Sequence, residues 1–238
     1  EQLLMTSLKV CLSPPEDVVV SEQTMLLLKD VYRQKLGSVD SVVWNNTFGS
    51  REFVTLFSPS ARILGDEAAT VYVPTPEMEY LRRFAAEFGD PSASIRLDQL
   101  PGAFQALERS EFGGRLLKSL HEANFYLSEV NALLSRRLNA GKVCLMASPN
   151  AQARALQQIF RRYHIRVIQP YLATMSRIGQ PWLRATGELA RDQSATMPTG
   201  FNEFYETFLD PGHPGGLWQQ HRDLVRAHAG LWSRLFDQ

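Results

Sequence analysis

The stretch SLKVCLSPPEDVVVSEQTMLLLKDVYRQKLGSVDSVVW, residues 7–44, decides how the chain is read, because two short apolar runs flank an amphipathic pattern. The outer runs, residues 7–12 and 39–44, are rich in β-forming residues and bounded by Pro14, Pro15 and Gly37, a punctuation that suits short strands. Between them Ser21 is placed to cap a helix, Met25, Leu28, Tyr32 and Leu36 fall on one helical face, and Gly37 follows as a stop. The expectation is strand, helix, strand, and an α/β fold.

Working outward, residues 53–57 and 69–73 read as two further strands, separated by a Ser, Pro and Gly punctuated connection. A helix is predicted over 76–88, with Thr75 as N-cap, Pro76 at the first position, Glu77 in the first turn, and Met78, Leu81, Ala85 and Phe88 as the buried stripe. Asp90, Pro91, Ser92 and Ser94 mark an internal boundary, giving expected domains of 1–90 and 91–238. In the second part a long helix is predicted over 115–139 with Gly141 as its stop. A strand at 142–147, a helix capped by Ser148 running to Tyr163, and a strand at 165–169 then compose a βαβ unit over 142–169. Residues 181–192 and 199–209 are shorter helical candidates, and Gly212, Pro214, Gly215 and Gly216 break the chain before a final helix over 217–236.

Bulk properties narrow the function. At 238 residues and 44% hydrophobic side chains the chain can bury a substantial core. Twenty-five basic and 25 acidic residues cancel, so no whole-molecule field draws it to nucleic acid or a membrane. The balance is uneven, with 9 basic against 14 acidic residues in the first hundred and 16 against 11 in the remainder. Cys11 and Cys144, far apart and in apolar surroundings, point to buried free thiols and an intracellular, reducing location. No apolar run reaches the roughly 20 residues that cross a bilayer. The chain opens on Glu1 and not on Met, as a processed mature form or a cut fragment would.

Motif fragments do not add up to a catalytic, cofactor or metal site. Gly141-Lys142 lacks the earlier glycine and the following hydroxyl of a phosphate loop, and His121-Glu122 has Phe125 where a second zinc-binding histidine would stand. Asn45-Asn46-Thr47 matches a glycosylation acceptor and reads more simply as a turn. An enzyme would have to use an unfamiliar α/β site around Ser148 and Asn150, at the start of a helix that could hold an anion.

Two features suit partners better than chemistry. From Val130 to Gly187 there is no Asp or Glu, while Arg136, Arg137, Arg154, Arg161, Arg162 and Arg166 are candidates for contact with an anionic partner, whether RNA, lipid or an acidic protein. On the final helix Leu217, His221, Leu224, His228, Leu231 and Leu235 step by four and three, beside Trp218 and Trp232. Residues seven apart lie about 10 Å apart along a helix axis, too far for His221 and His228 to share one metal ion unaided. Trp218, His221, His228 and Trp232 therefore read either as a core seam of the helix's own domain or as a docking face for a partner.

Residues 7–88, taken as an order of elements, resemble the small thioredoxin-like family shared by an accessory subunit of respiratory complex I (NADH dehydrogenase) and certain mitochondrial ribosomal proteins. The resemblance rests on SLKVCLSP, residues 7–14, as a first strand ending in a Cys and a Ser-Pro turn, followed by the helix at 21–36, the strands and the helix at 75–88. It implies an N-terminal thioredoxin-like module with a mostly helical C-terminal extension. It also implies a non-catalytic accessory subunit on the matrix side of the mitochondrion, whose partners are other subunits of a large complex. The absence of a second cysteine near Cys11 leaves that residue without a redox role. Neutral net charge favours the respiratory complex, and the alternative is a ribosomal protein contacting RNA through residues 136–184.

Overall fold

Residue 7 does not begin a strand. The computed structural model describes residues 2–15, 18–59, 62–88, 90, 96–141, 151–195 and 197–237, and among them every regular element is helical. In chain order these are α1 (Gln2–Leu12), α2 (Glu22–Asn45), α3 (Arg51–Leu56), α4 (Thr75–Glu87), α5 (Leu100–Ser110), α6 (Phe112–Asn139), α7 (Ala151–Ile159), α8 (Gln169–Asp192), α9 (Thr199–Phe204) and α10 (Leu217–Phe236). Single 3-10 turns occupy Asp66–Ala69 and Leu97–Gln99, and π-helical stretches occupy Phe160–Ile168 and Tyr205–Leu209. The expected α/β fold is corrected to an all-α one, and residues 1–90 are not a thioredoxin-like module.

Each misplaced strand has a physical reason. Residues 7–12 lie in α1, where Met5 and Leu8, three apart, are the buried pair. Residues 39–44 continue α2: Val39, Val42 and Val43 repeat at helical spacing, and Val43 is buried, so packing on one helical face overrides the strand preference of β-branched side chains. Gly37, expected as a stop, sits inside α2 with open space where a Cβ would be. Residues 53–56 belong to α3, which buries Phe53 and Leu56, and the Ser50 hydroxyl accepts from the Phe53 N–H at 3.2 Å as a cap would. Residues 71–73 follow the 3-10 turn in no regular element. Residues 165–169 are helical, which removes the second strand of the expected βαβ unit, and residues 142–147 lie outside the described residues.

The helix assignments fare differently. Ser21 caps α2, its hydroxyl accepting from the Thr24 N–H at 3.1 Å. α4 starts at Thr75 with Pro76 and Glu77 in its first turn, and buries Met78, Tyr80, Leu81 and Phe84. α6 ends before Gly141, whose φ of 111° is the left-handed stop that only glycine adopts without strain. α10 spans Leu217–Phe236 as expected. Cys11 is exposed on α1, which corrects its expected burial, and Cys144 lies outside the described residues.

The chain falls into two units, each assembled from separate stretches. The first comprises Glu1–Leu56, Pro74–Ser110 and Ala185–Pro198, with α3 and α4 both packed on α5 and α1 packed on α2. Its core includes Phe48, Phe53, Leu81, Phe84, Leu107 and Leu189, and Thr47 hydrogen-bonds Gln193 at 2.9 Å within it. The second comprises Phe57–Val73, Glu111–Arg184 and Thr199–Gln238, and is organised by α6 lying along α10. Gly114 on α6 has Ser58 backbone where a side chain would begin, and Gly179 on α8 leaves room for the Trp218 ring, 2.6 Å from where its Cβ would stand. Trp182 is fully buried beside Phe57 and Phe112, at ring separations of 5.7 and 5.4 Å.

Candidate functional site

The second unit's site grows out of the seam between α6 and α10. On α6 the inward residues Leu120, Asn124, Leu127, Asn131 and Leu134 step by four and three, and on α10 Leu217, His221, His228, Leu231 and Leu235 face them. Asn124 meets His221 at 2.8 Å and Asn131 meets His228 at 2.7 Å, both pairs 97 residues apart in the chain, so the two helices run parallel in one register. Each asparagine also donates its amide N–H to an α10 carbonyl, Asn124 to Leu217 O at 3.1 Å and Asn131 to Leu224 O at 3.0 Å.

That orientation assigns the protons. With each Nδ2 turned to a carbonyl, each Oδ1 faces a histidine Nδ1, which must therefore be the protonated nitrogen. Nε2 of His228 is left as an acceptor and takes the indole N–H of Trp232 at 3.0 Å. His164 Nδ1 stands 3.2 Å from the same Nε2 and can face it only as a donor. Burial pushes the pKa of His221 down to about 4, with the Arg222 charge adding to the effect, and burial with the His164 charge does the same to His228. Burial lowers His164 as well. At neutral pH the seam is uncharged.

His164 comes from Phe160–Ile168, the π-helical stretch that joins α7 to α8. It is held through Ala153, Leu156 and Phe160 onto Leu134, Leu231, Trp232 and Leu235. Phe160 packs against Trp232 and Phe236 at 5.1 and 4.7 Å, and stacks on His164 at 5.1 Å. A π stretch spreads its residues over more than four per turn, so a nine-residue run re-aims the side chains that follow, and such bulges recur at functional sites.

A cavity of about 570 Å³ lies on the α6 side of this stretch. Ala123, Tyr126, Leu127 and Val130 of α6 form one wall, Val167, Ile168, Pro170, Tyr171 and Leu172 another, and Ala68 and Ala69 a third. Arg166 is the one formally charged side chain among the described lining residues, and Tyr171 is held in place by donating its hydroxyl to Leu64 O at 2.9 Å. On the α10 side a second cavity of about 400 Å³ is lined by His164, Ser176, His221, Arg222, Val225 and Arg226 among others. Leu172 and His228 line both. Since Nε2 of His228 is already engaged by Trp232, it is poorly placed to take a substrate proton. Among the described residues no three His, Cys, Asp or Glu side chains are grouped to hold a metal ion.

Of the residues singled out from the sequence, Trp218, His221, His228 and Trp232 are all buried, and the latter three lie in the α6–α10 seam, so their apolar stripe is covered within the chain itself. Arg136, Arg154, Arg161, Arg162 and Arg166 are exposed and Arg137 is half-buried, donating to Gly141 O at 3.1 Å. Arg166 alone among them reaches the first cavity. Ser148 and Asn150 lie outside the described residues. Sequence reasoning missed Asn124, Asn131, His164 and the cavity walls. One signal was there: two asparagines seven apart interrupt the apolar seam of α6, as two histidines seven apart interrupt that of α10.

Among the described residues no helix is long and apolar enough to cross a membrane. No curated protein and no solved structure matches the chain. A family match covers residues 1–238, and its description carries no thioredoxin-like, respiratory or ribosomal term, which withdraws the resemblance drawn from residues 7–88. The chain belongs to that family, DUF3080, described as a protein of unknown function.

Proposed function

We propose that the second unit is a non-catalytic binding module that holds an amphipathic molecule, an apolar chain with an anionic head, in the cavity beside α6. The observation that carries this reading is the lining: apolar side chains from α6 and residues 167–172, with Arg166 as the one charge among its described members. A volume of about 570 Å³ falls in the range of sites that enclose small organic ligands. A guanidinium offers a planar, two-point grip on a carboxylate or phosphate, and no described lining carboxylate competes for it. The non-catalytic character expected from the sequence is retained. Placement in a respiratory complex or a mitochondrial ribosome rested on the resemblance and loses that support.

The test is fluorescence titration with dansylated undecanoate, displaced by dodecanoate, dodecyl phosphate or dodecanol. Saturable binding is expected for both anions, and about tenfold or more weaker binding for the alcohol, which forgoes a charge-assisted hydrogen bond. Arg166→Gln should erase that preference, while Ala123→Phe, which fills the cavity from α6, should abolish binding of all three. Equal affinity of acid and alcohol removes the anionic head from the proposal. An unchanged affinity in a folded Ala123→Phe protein removes the cavity.

A further inference from the structure

We infer that residues 159–168 form an interfacial surface that docks this unit on a bilayer containing anionic lipid. The stretch is seated through Phe160, which packs on the Leu134, Trp232 and Leu235 cluster, and His164, which reaches His228. Ile159, Tyr163 and Ile165 are exposed large hydrophobics that line no part of the first cavity, with Tyr163 at 52%, and Val167 and Ile168, which wall that cavity, are exposed as well, Val167 at 58%. Single exposed apolar residues are normal on any protein, but five among ten consecutive residues are an unusual concentration.

Interleaved with them are the exposed Arg161, Arg162 and Arg166, none of which has a carboxylate partner among the described residues. The nearest acids in the sequence are Glu129 and Glu188. The Arg162 guanidinium lies 5.8 Å over the Tyr163 ring, which sets a cation and an aromatic side by side on the face.

This combination selects the occupant. A solvated face would not carry branched aliphatics between its charges, and a phosphate backbone alone gives no reason for Ile159 and Ile165. A lipid surface uses both, since aliphatic side chains enter the acyl boundary, tyrosine sits at headgroup level and arginines pair with anionic headgroups. The stretch shares Arg166, Val167 and Ile168 with the cavity, whereas Arg161, Arg162, Ile159 and Tyr163 do not line it, so the inference is tested on those four.

The experiment is co-sedimentation of the full chain with vesicles of phosphatidylcholine alone and of three parts phosphatidylcholine to one part phosphatidylglycerol. Binding is expected to the anionic vesicles and to weaken with salt, and the Arg161→Gln, Arg162→Gln pair should lower it by about fivefold for each arginine removed. Ile159→Ser with Tyr163→Ser should remove the binding that survives high salt. Unchanged dodecanoate affinity, or for a chain that binds none an unchanged helical circular dichroism signal, shows that each variant is folded. Equal association with both vesicle types overturns the inference. So does tighter binding to an RNA oligonucleotide than to anionic vesicles with no effect of the Ile159 and Tyr163 changes, which assigns the face to RNA.

Discussion

The α6–α10 seam and the residue 159–168 stretch lie side by side in one unit, yet they treat polar groups in opposite ways. In the seam the buried polar side chains pair with one another: Asn124 and Asn131 each satisfy one histidine Nδ1 and one backbone carbonyl, and Trp232 satisfies the remaining nitrogen of His228. In the stretch, aliphatic and guanidinium groups are left facing outward together. Buried polar groups are costly unless paired, so the seam specifies a single register of two parallel helices. An outward mixture of arginine and aliphatics adds nothing to packing, which is why its purpose is sought in contact with something else.

Four changes would break or sharpen this contrast. The largest effect is expected from Trp232→Ala, which removes a buried indole packed on Phe160 and Phe236 together with the hydrogen bond to His228. A loss of about 3–5 kcal/mol in denaturant unfolding is predicted, and a loss under about 1 kcal/mol would mean the seam is not the organising core of the unit. Asn131→Ala comes next, at about 1–3 kcal/mol, because the His228 Nδ1–H loses its acceptor, and moving the proton to Nε2 would confront the indole N–H of Trp232.

Acid should weaken the seam by a graded amount. His221 and His228 have pKa values held down to about 4 in the folded chain against an ordinary value near 6.5, so between those limits the unfolded chain takes up protons that the folded chain refuses. Stability is therefore fully present above about pH 6.5 and declines as pH falls towards about 4, most directly seen as a falling urea midpoint. A midpoint that does not move over this range, or moves as much in the His221→Gln, His228→Gln protein, contradicts neutral buried imidazoles. The smallest stability effect belongs to the Arg161→Gln, Arg162→Gln pair, within about 0.5 kcal/mol of the parent, because both side chains are exposed on the outward face. A larger loss would make those arginines part of the fold and not of a contact surface.

How much of this could be read in the sequence depended on where the signal lay. α10 and the end of α6 were legible because their apolar residues step by four and three over many turns and Gly141 and Gly216 punctuate them. The misreadings came from short segments. In residues 7–12 and 39–44 a six-residue segment with four apolar side chains fits a strand and one and a half helical turns equally well, and burial of Met5, Leu8 and Val43 by neighbouring helices decided it. The cavity was illegible because its walls come from residues 68–69, α6 and 166–174, whose proximity no local pattern announces. The arginines could be seen from the missing acids, but their neighbour Ile165 read as part of a strand until the structure showed it exposed on a helix.

The central claim is that the cavity beside α6 receives an anionic amphiphile against Arg166, and calorimetric titration of the full chain with dodecanoate tests it most directly. The account predicts saturable binding at one site per chain, with the negative heat-capacity change of apolar burial, at least about tenfold tighter than dodecanol, and lost in Ala123→Phe. A flat titration, or a dodecanoate affinity equal in the parent and in a folded Ala123→Phe protein, would contradict it.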